Sequence, residues 1–407
     1  MRNTLLLASC LIVSVTALAT VSAQIPGPNV NMVTGKTFPN GDPWLQKQNE
    51  PSGAVSTKNP CHLLAGANDY RAVNLPGLPG DKEIGDAWVG WYTSINCGQT
   101  WYSTLVPGYL QDTSPAGKAS PVYGLTTAGD PTVRAGAGGF FAYSFIAYNR
   151  GSNVGKIAVA RFLDRNTNEA VKGAESAISY IDTKAWDNGS AGNYIDKPYL
   201  AVTQGTGTCT VTTAAGKTAT IPASTVHLAW TVFVNNSSNL DVIRTKVYYA
   251  RSSNCGASLD GPATKLSEGY AVTQSANIAV APNGAIYVVW RQFNTPKGDL
   301  DQLLVAKSVD GGKTFTKAAP IPMPQSFLPF DQGTSSKTFR TNAFASTAVD
   351  QWGRLYAAFA VRGYANNVDQ SRVVVMTTLD GVSWTGPCSV RKDYLRIWHA
   401  ANSPFPR

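Results

Sequence analysis

Carboxylates and arginines recur where apolar runs begin beside a proline or end before a loop. Glu50 precedes Pro51, Asp130 precedes Pro131, and Asp196-Lys197 precede Pro198. Asp69-Tyr70-Arg71 and Tyr148-Asn149-Arg150 follow two apolar runs, Arg291 and Arg362 close two others, and Arg340 lies just before the last. A carboxyl group can hold or release a proton at a reacting bond. A guanidinium fork pairs bidentately with a carboxylate. Such a mixture suits an acidic sugar, provided that the fold collects these residues at one place.

Other chemistries are disfavoured. The chain has three histidines, and none of its six cysteines forms a Cys-x-x-Cys, so no zinc site, other metal site or cofactor is expected. Thirty-four Lys and Arg stand against 25 Asp and Glu. They are scattered and form no basic run, so no nucleic-acid partner is expected. Charged residues make up only 14% of the 407, too few for a coiled coil or a disordered chain.

Met1-Arg2, the apolar run Leu5 to Thr20 and the small residues Val21-Ser22-Ala23 read as a secretory signal peptide. Cleavage is expected after Ala23, giving a secreted or periplasmic protein with no transmembrane segment in the mature chain. Cys10 leaves with the signal. Five cysteines remain in an oxidising compartment, where pairing is the rule.

The elements that must position the rim residues are announced by a repeat. A strand ending near a valine, a turn and an aromatic-rich strand recur five times. The anchoring residues are Val55, Val133, Val202, Val280 and Val349, at steps of 78, 69, 78 and 69 residues. Each step accommodates a four-stranded antiparallel sheet. Period-2 runs such as Ile286 to Trp290, punctuated by Asn283-Gly284, support hairpins. Repeated four-stranded sheets around an axis make a β-propeller.

A second signature closes most repeats. Ser94-Ile95-Asn96-Cys97-Gly98-Gln99-Thr100-Trp101 is one copy, and Ser308-Val309-Asp310-Gly311-Gly312-Lys313-Thr314-Phe315 is the cleanest. Thr378 to Trp384 is one residue shorter, and Ser252 to Leu259 is degenerate. Asp or Asn there accepts backbone N–H groups, glycine supplies positive φ, and the aromatic plugs the core. The motif is expected to be architectural. It resembles the Asp-box of bacterial neuraminidase repeats, and over about residues 49–390 the chain resembles secreted exo-sialidase-like propellers.

That resemblance implies an all-β propeller of the sialidase type, with a glycan or glycoconjugate as partner. It implies either a glycoside hydrolase acting on acidic glycans or a non-catalytic glycan- or protein-binding propeller. Arg71, Arg291, Arg340 and Arg362 become candidates for a carboxylate clamp, with Asp196 as a further substrate contact. Asp69, Asp130 and Glu50 become candidates for acid/base work. No Arg-Ile-Pro, the sialidase first-blade motif, occurs in the chain. On the propeller, Cys61 and Cys97 fall in the two same-face turns of the first blade, and Cys209 and Cys255 in those of the third. Cys61–Cys97 and Cys209–Cys255 are therefore the expected disulfides, with Cys388 unassigned. The expected divisions are a signal at 1–23, an extension at 24–48, the propeller at 49–393 and an irregular tail at 394–407. A sixth repeat would fall past Arg407, so five blades are expected, with a sixth missing or truncated.

Overall fold

The computed structural model describes residues 27–75, 86–150, 155–167, 177–189, 193–234, 244–269, 271–293, 301–323, 328–329, 343–362 and 371–389. The expected signal peptide and the tail 394–407 lie outside them. Residues Met32–Arg407 form one compact unit. No described helix is long and apolar enough to cross a membrane.

Five antiparallel sheets follow one another along the chain. The first contains β1 (Gln48–Val55), β2 (Leu63–Asp69), β3 (Trp88–Ser94) and β4 (Tyr102–Leu105). The second contains β5 (Thr127–Ala135), β6 (Phe140–Tyr148), β7 (Gly155–Asp164) and β8 (Ile178–Asp187). The third contains β9 (Asn193–Thr212), β10 (Thr218–Val234), β11 (Arg244–Ser252) and β12 (Thr264–Lys265). The fourth contains β13 (Val272–Val280), β14 (Ile286–Phe293), β15 (Gln302–Ser308) and β16 (Ala319–Pro320). In the fifth, the short β17 (Leu328–Pro329) and β18 (Ser346–Val349) both pair with β19 (Leu355–Arg362). β20 (Ser371–Thr378) and β21 (Trp384–Ser389) complete it. The five anchoring valines all lie on first strands, and these contact one another in the order β1, β5, β9, β13, β18. The fold is a five-bladed β-propeller.

Between blades the core is aromatic and aliphatic. Trp91 packs tilted on Phe162 at 4.9 Å between ring centroids, joining blades one and two. Tyr249 meets Phe315 edge-on at 4.8 Å, joining blades three and four. The closing turns add polar latches. Ser308 Oγ donates to Asp310 Oδ1 (2.8 Å), which accepts the Thr314 amide (3.0 Å), while the Gly312 amide donates to Ser308 Oγ (2.9 Å). The Thr314 hydroxyl, which donates to Asp310 Oδ2 at 2.5 Å, and then these bonds hold the Asp310 carboxyl well below the usual carboxylate range. The turn residue Gly311 has φ +74°, and its counterparts Cys97 and Cys255 adopt +58° and +57°. A basic side chain of the preceding blade then reaches the turn carbonyl. Arg161 donates to Cys255 O (3.1 Å), Lys307 to Asp380 O (2.8 Å) and Arg251 to Gly311 O.

Both expected disulfides form, Cys61–Cys97 and Cys209–Cys255. Cys388 is free and exposed. Cys209 lies not in an irregular insertion but on β9 itself, because β9 and β10 run on together as a long hairpin. Its inward residues Cys209, Val211 and Ile221 are buried, while Thr210, Thr212, Thr218 and Thr220 stay exposed. Bridging residues 46 positions apart restricts the unfolded chain, so Cys209→Ser with Cys255→Ser is expected to cost about 2–4 kcal/mol. Urea midpoints with and without reductant check this. The wild type should lose stability on reduction, and a variant indifferent to this pair's removal would contradict the assignment.

Candidate functional site

The antiparallel meander places the starts of the first strands, the ends of the second strands and the loops after them on one face. There, four first strands carry the same irregularity. Glu50-Pro51 on β1 oppose the single residue Ala67, Asp130-Pro131 on β5 oppose Phe145, Lys197-Pro198 on β9 oppose Trp230, and Ser275-Ala276 on β13 oppose Trp290. Each is a bulge, with two residues facing one. In every case the first bulge residue has positive φ: Glu50 +51°, Asp130 +55°, Lys197 +46° and Ser275 +59°. None is glycine, and left-handed backbone at such residues costs about 1–3 kcal/mol each. Proline fits the second position of three bulges because its missing N–H is not needed in a broken ladder.

The bulges of the first three blades aim Glu50, Asp130 and Lys197 into a cleft of about 830 Å³, with Asp196 beside them. Lys197 Nζ lies 3.3 Å from Asp130 Oδ1 and 3.6 Å from Glu50 Oε2. Asn68 spans the same two residues. Its Nδ2 donates to Glu50 Oε2 (3.3 Å), and its Oδ1 accepts the Asp130 amide (2.8 Å). Gln274 Nε2 donates to Asp196 Oδ2 at 2.5 Å. The Asp130 carboxyl feels those of both Glu50 and Asp196.

This crowding shifts the titrations. The hydrogen bond to Asp130 raises Glu50 above the usual carboxylate value, burial adds to that, and Lys197 opposes it. Burial raises Asp130, and the Asp196 charge raises it further. For Lys197 burial works downward, but Asp130, Asp196 and Glu50 outweigh it and the ammonium is stabilised. Neighbouring carboxyls whose titrations are pushed upward, beside a cation, are an environment that can keep an acid and a base available together.

Aromatic residues form another wall. Tyr148 and Tyr194 meet edge-on at 5.5 Å, and Phe233 lies 6.0 Å beyond Tyr194. Burial raises both tyrosine hydroxyls. At the rim Arg150 is paired with Asp86, which also accepts from Thr127 Oγ1 (3.2 Å). Burial alone would raise the Asp86 carboxyl, but Arg150 and the Ala87 amide pull it below its usual value. A polar floor beside an aromatic wall is a common layout for sugar rings, whose apolar faces stack while their hydroxyls hydrogen-bond.

Three of the candidates lie elsewhere. Asp69 and Arg71 are fully buried and pair with each other, Nη2 to Oδ2 at 2.7 Å and Nε to Oδ1 at 3.0 Å. Tyr92 donates to Asp69 Oδ2 at 2.6 Å, and Arg71 Nη1 donates to Pro39 O at 2.6 Å. This cluster stitches blade one to the segment preceding β1. Gly90 packs against it, and a Cβ there would collide with the Tyr92 hydroxyl. Arg291 is likewise buried, bonds Asp301 at 2.7 and 2.8 Å, and covers the Phe293 ring at 4.5 Å. Arg340 lies outside the described residues, as does the side chain of Arg362.

No family model and no curated protein matches the chain. Among solved structures it is similar to the Trypanosoma rangeli sialidase in complex with the inhibitor DANA, at 11% identity and a TM-score of 0.43, covering 84% of this chain and 48% of that one. It is also similar to the GH93 α-L-arabinofuranosidase of Fusarium graminearum, at 13% and 0.45, over 88% and 85% of the two chains. The Penicillium chrysogenum α-L-arabinanase gives 11% and 0.42, over 81% and 88%. The chain spans about half the length of the sialidase chain.

Asn68, Tyr194 and Phe233 are members of the cleft that the sequence did not single out, and Lys197, noted there beside Asp196, carried no role. Lys197 and Asn68 had a legible signal, since each sits next to a candidate, Asp196 and Asp69. Tyr194 and Phe233 had none, because they come together only through the β9–β10 ladder, where they are cross-strand partners.

Proposed function

We propose that the protein is an exported glycoside hydrolase working at the Glu50–Asp130–Asp196 cluster. The observation that carries this reading is the convergence of Glu50, Asp130 and Asp196 on one cleft around Lys197. In the proposed mechanism Glu50, whose carboxyl is raised above the usual carboxylate range, is the general acid for the departing glycosidic oxygen. Asp196, held by Gln274, is the base or nucleophile on the other side. Asp130, between them, sets the charge each one feels, and Lys197 offsets the total. The positive charge that grows on the sugar ring in the transition state would then sit among carboxylates. The aromatic wall supports a glycan ligand, and the secretion-like residues 1–23 support an extracellular or periplasmic setting.

One observation favours a second reading. Lys197 lies within 3.6 Å of Glu50 and 3.3 Å of Asp130, which is also how a binding propeller would neutralise its carboxylates. Release of reducing sugar or nitrophenol from a glycoside panel separates the two. Turnover that vanishes in Glu50→Gln supports the enzyme, whereas saturable binding without turnover supports the binding propeller.

A further inference from the structure

Resting on that reading of the cleft, we propose that its ligand is a neutral sugar and that carboxylated sugars are excluded. The sequence suggested the opposite, because arginines and carboxylates alternate along the rim. Among the described residues the fold pairs two of these arginines off. Arg71 and Arg291 are consumed in buried pairs with Asp69 and Asp301. The described cations lining the cleft are Lys197 and Arg150, and both are engaged, Lys197 by Asp130 and Glu50 and Arg150 by Asp86. Four carboxyl groups, Glu50, Asp86, Asp130 and Asp196, share these two cations. Even with Glu50 protonated the lining carries an excess of negative charge. A ligand carboxylate entering here would lose water and meet Asp130 and Asp196 at close range. Hydroxyl groups face no such cost, because Asn68, Gln274 and the carboxylates offer donors and acceptors, and Tyr194 and Phe233 offer a face for the ring.

The test compares glycosides of the same ring that differ only at C6. 4-Nitrophenyl glucoside and galactoside are run beside the glucuronide and galacturonide in both anomers, with arabinofuranosides, xylosides and a sialoside added. Binding of each is also measured by calorimetry. The expected result is at least a tenfold preference for the neutral member of a matched pair, in kcat/KM or in Kd. That preference should shrink in Asp196→Asn and at high salt, because it is electrostatic. Preferred turnover of a uronide or the sialoside, lost in Glu50→Gln, would overturn the neutral-sugar inference while leaving the hydrolase reading intact. Binding of neutral glycosides without turnover, weakened in Tyr194→Ala, would overturn the hydrolase reading and uphold the inference. Failure of every neutral glycoside to bind overturns the inference.

Discussion

Asp69→Ala is expected to lower the stability of the propeller by about 3–5 kcal/mol while leaving the chemistry of any folded molecule intact. Asp69 and Arg71 both show no side-chain exposure. Their Coulombic attraction need not exceed the desolvation that each ion suffers, so the pair as a whole contributes little net stability. Removing one partner is different, because the guanidinium then stays buried without its counter-charge. The Tyr92 hydroxyl also loses its acceptor. The relevant measurement is the urea midpoint at constant m-value, together with turnover normalised to the folded fraction. A variant with wild-type stability and no turnover would return Asp69 to the catalytic role that its sequence position suggested. Adding Arg71→Met should recover part of the loss, since apolar side chains often replace a buried ion pair at little cost.

Glu50→Gln should reduce turnover by about 10²- to 10⁴-fold, the usual range for removal of a general acid, with the fold retained. Glutamine keeps the shape and can still donate to Asp130, but it has no proton to transfer. The pH dependence gives an independent check. Glu50 and Asp130 are both raised above ordinary carboxylates, so the wild-type kcat/KM should fall on the alkaline side as the pair deprotonates. The apparent values belong to the pair rather than to either residue. Stability follows with a definite sign. A carboxyl raised by folding binds its proton more tightly in the folded chain. Its contribution is therefore complete below the unfolded value of about 4.3 and is lost as pH rises through the folded value. Glu50→Gln should flatten that part of the stability profile, becoming no less stable than wild type near neutral pH. A turnover profile unchanged by the substitution would remove Glu50 from the mechanism.

The parity of a strand explains most of what the sequence left undecided. Asn68 and Asp69 are neighbours at the end of β2, and side chains along a strand alternate between faces. Asn68 enters the cleft and Asp69 turns into the blade. Nothing in the composition of that segment says which is which. The answer depends on the register with β1, where Asn49 faces Asn68 and Gln48 faces Asp69. The arginines are a similar case. Arg291 follows Trp290 at the cleft end of its strand, as a ligand-binding arginine would. However, its partner Asp301 lies at the mouth of the same hairpin and captures it. The bulges were partly legible. Three of the four carry a proline directly after a polar residue, which marks a break in a strand. The fourth, Ser275-Ala276, has no such mark.

The sequence by itself determined the five-fold repeat, the four strands of a blade, the closing turns and the disulfide partners. These rest on local chemistry repeated at a fixed step, namely period-2 apolar runs, turn residues with positive φ, and cysteines that recur at the same end of their blades. Only the tertiary structure decided which charged residues meet. Glu50, Asp130 and Asp196 lie 66 to 80 positions apart or more in different blades and become neighbours because first strands pack side by side around the axis. Asp69 and Arg71, two positions apart, are withdrawn from the same face by the short 3-10 turn at Tyr70–Ala72 that brings one onto the other. Burial and pairing, which set whether a carboxylate is a structural ion or a proton donor, are properties of that packing and not of any segment alone.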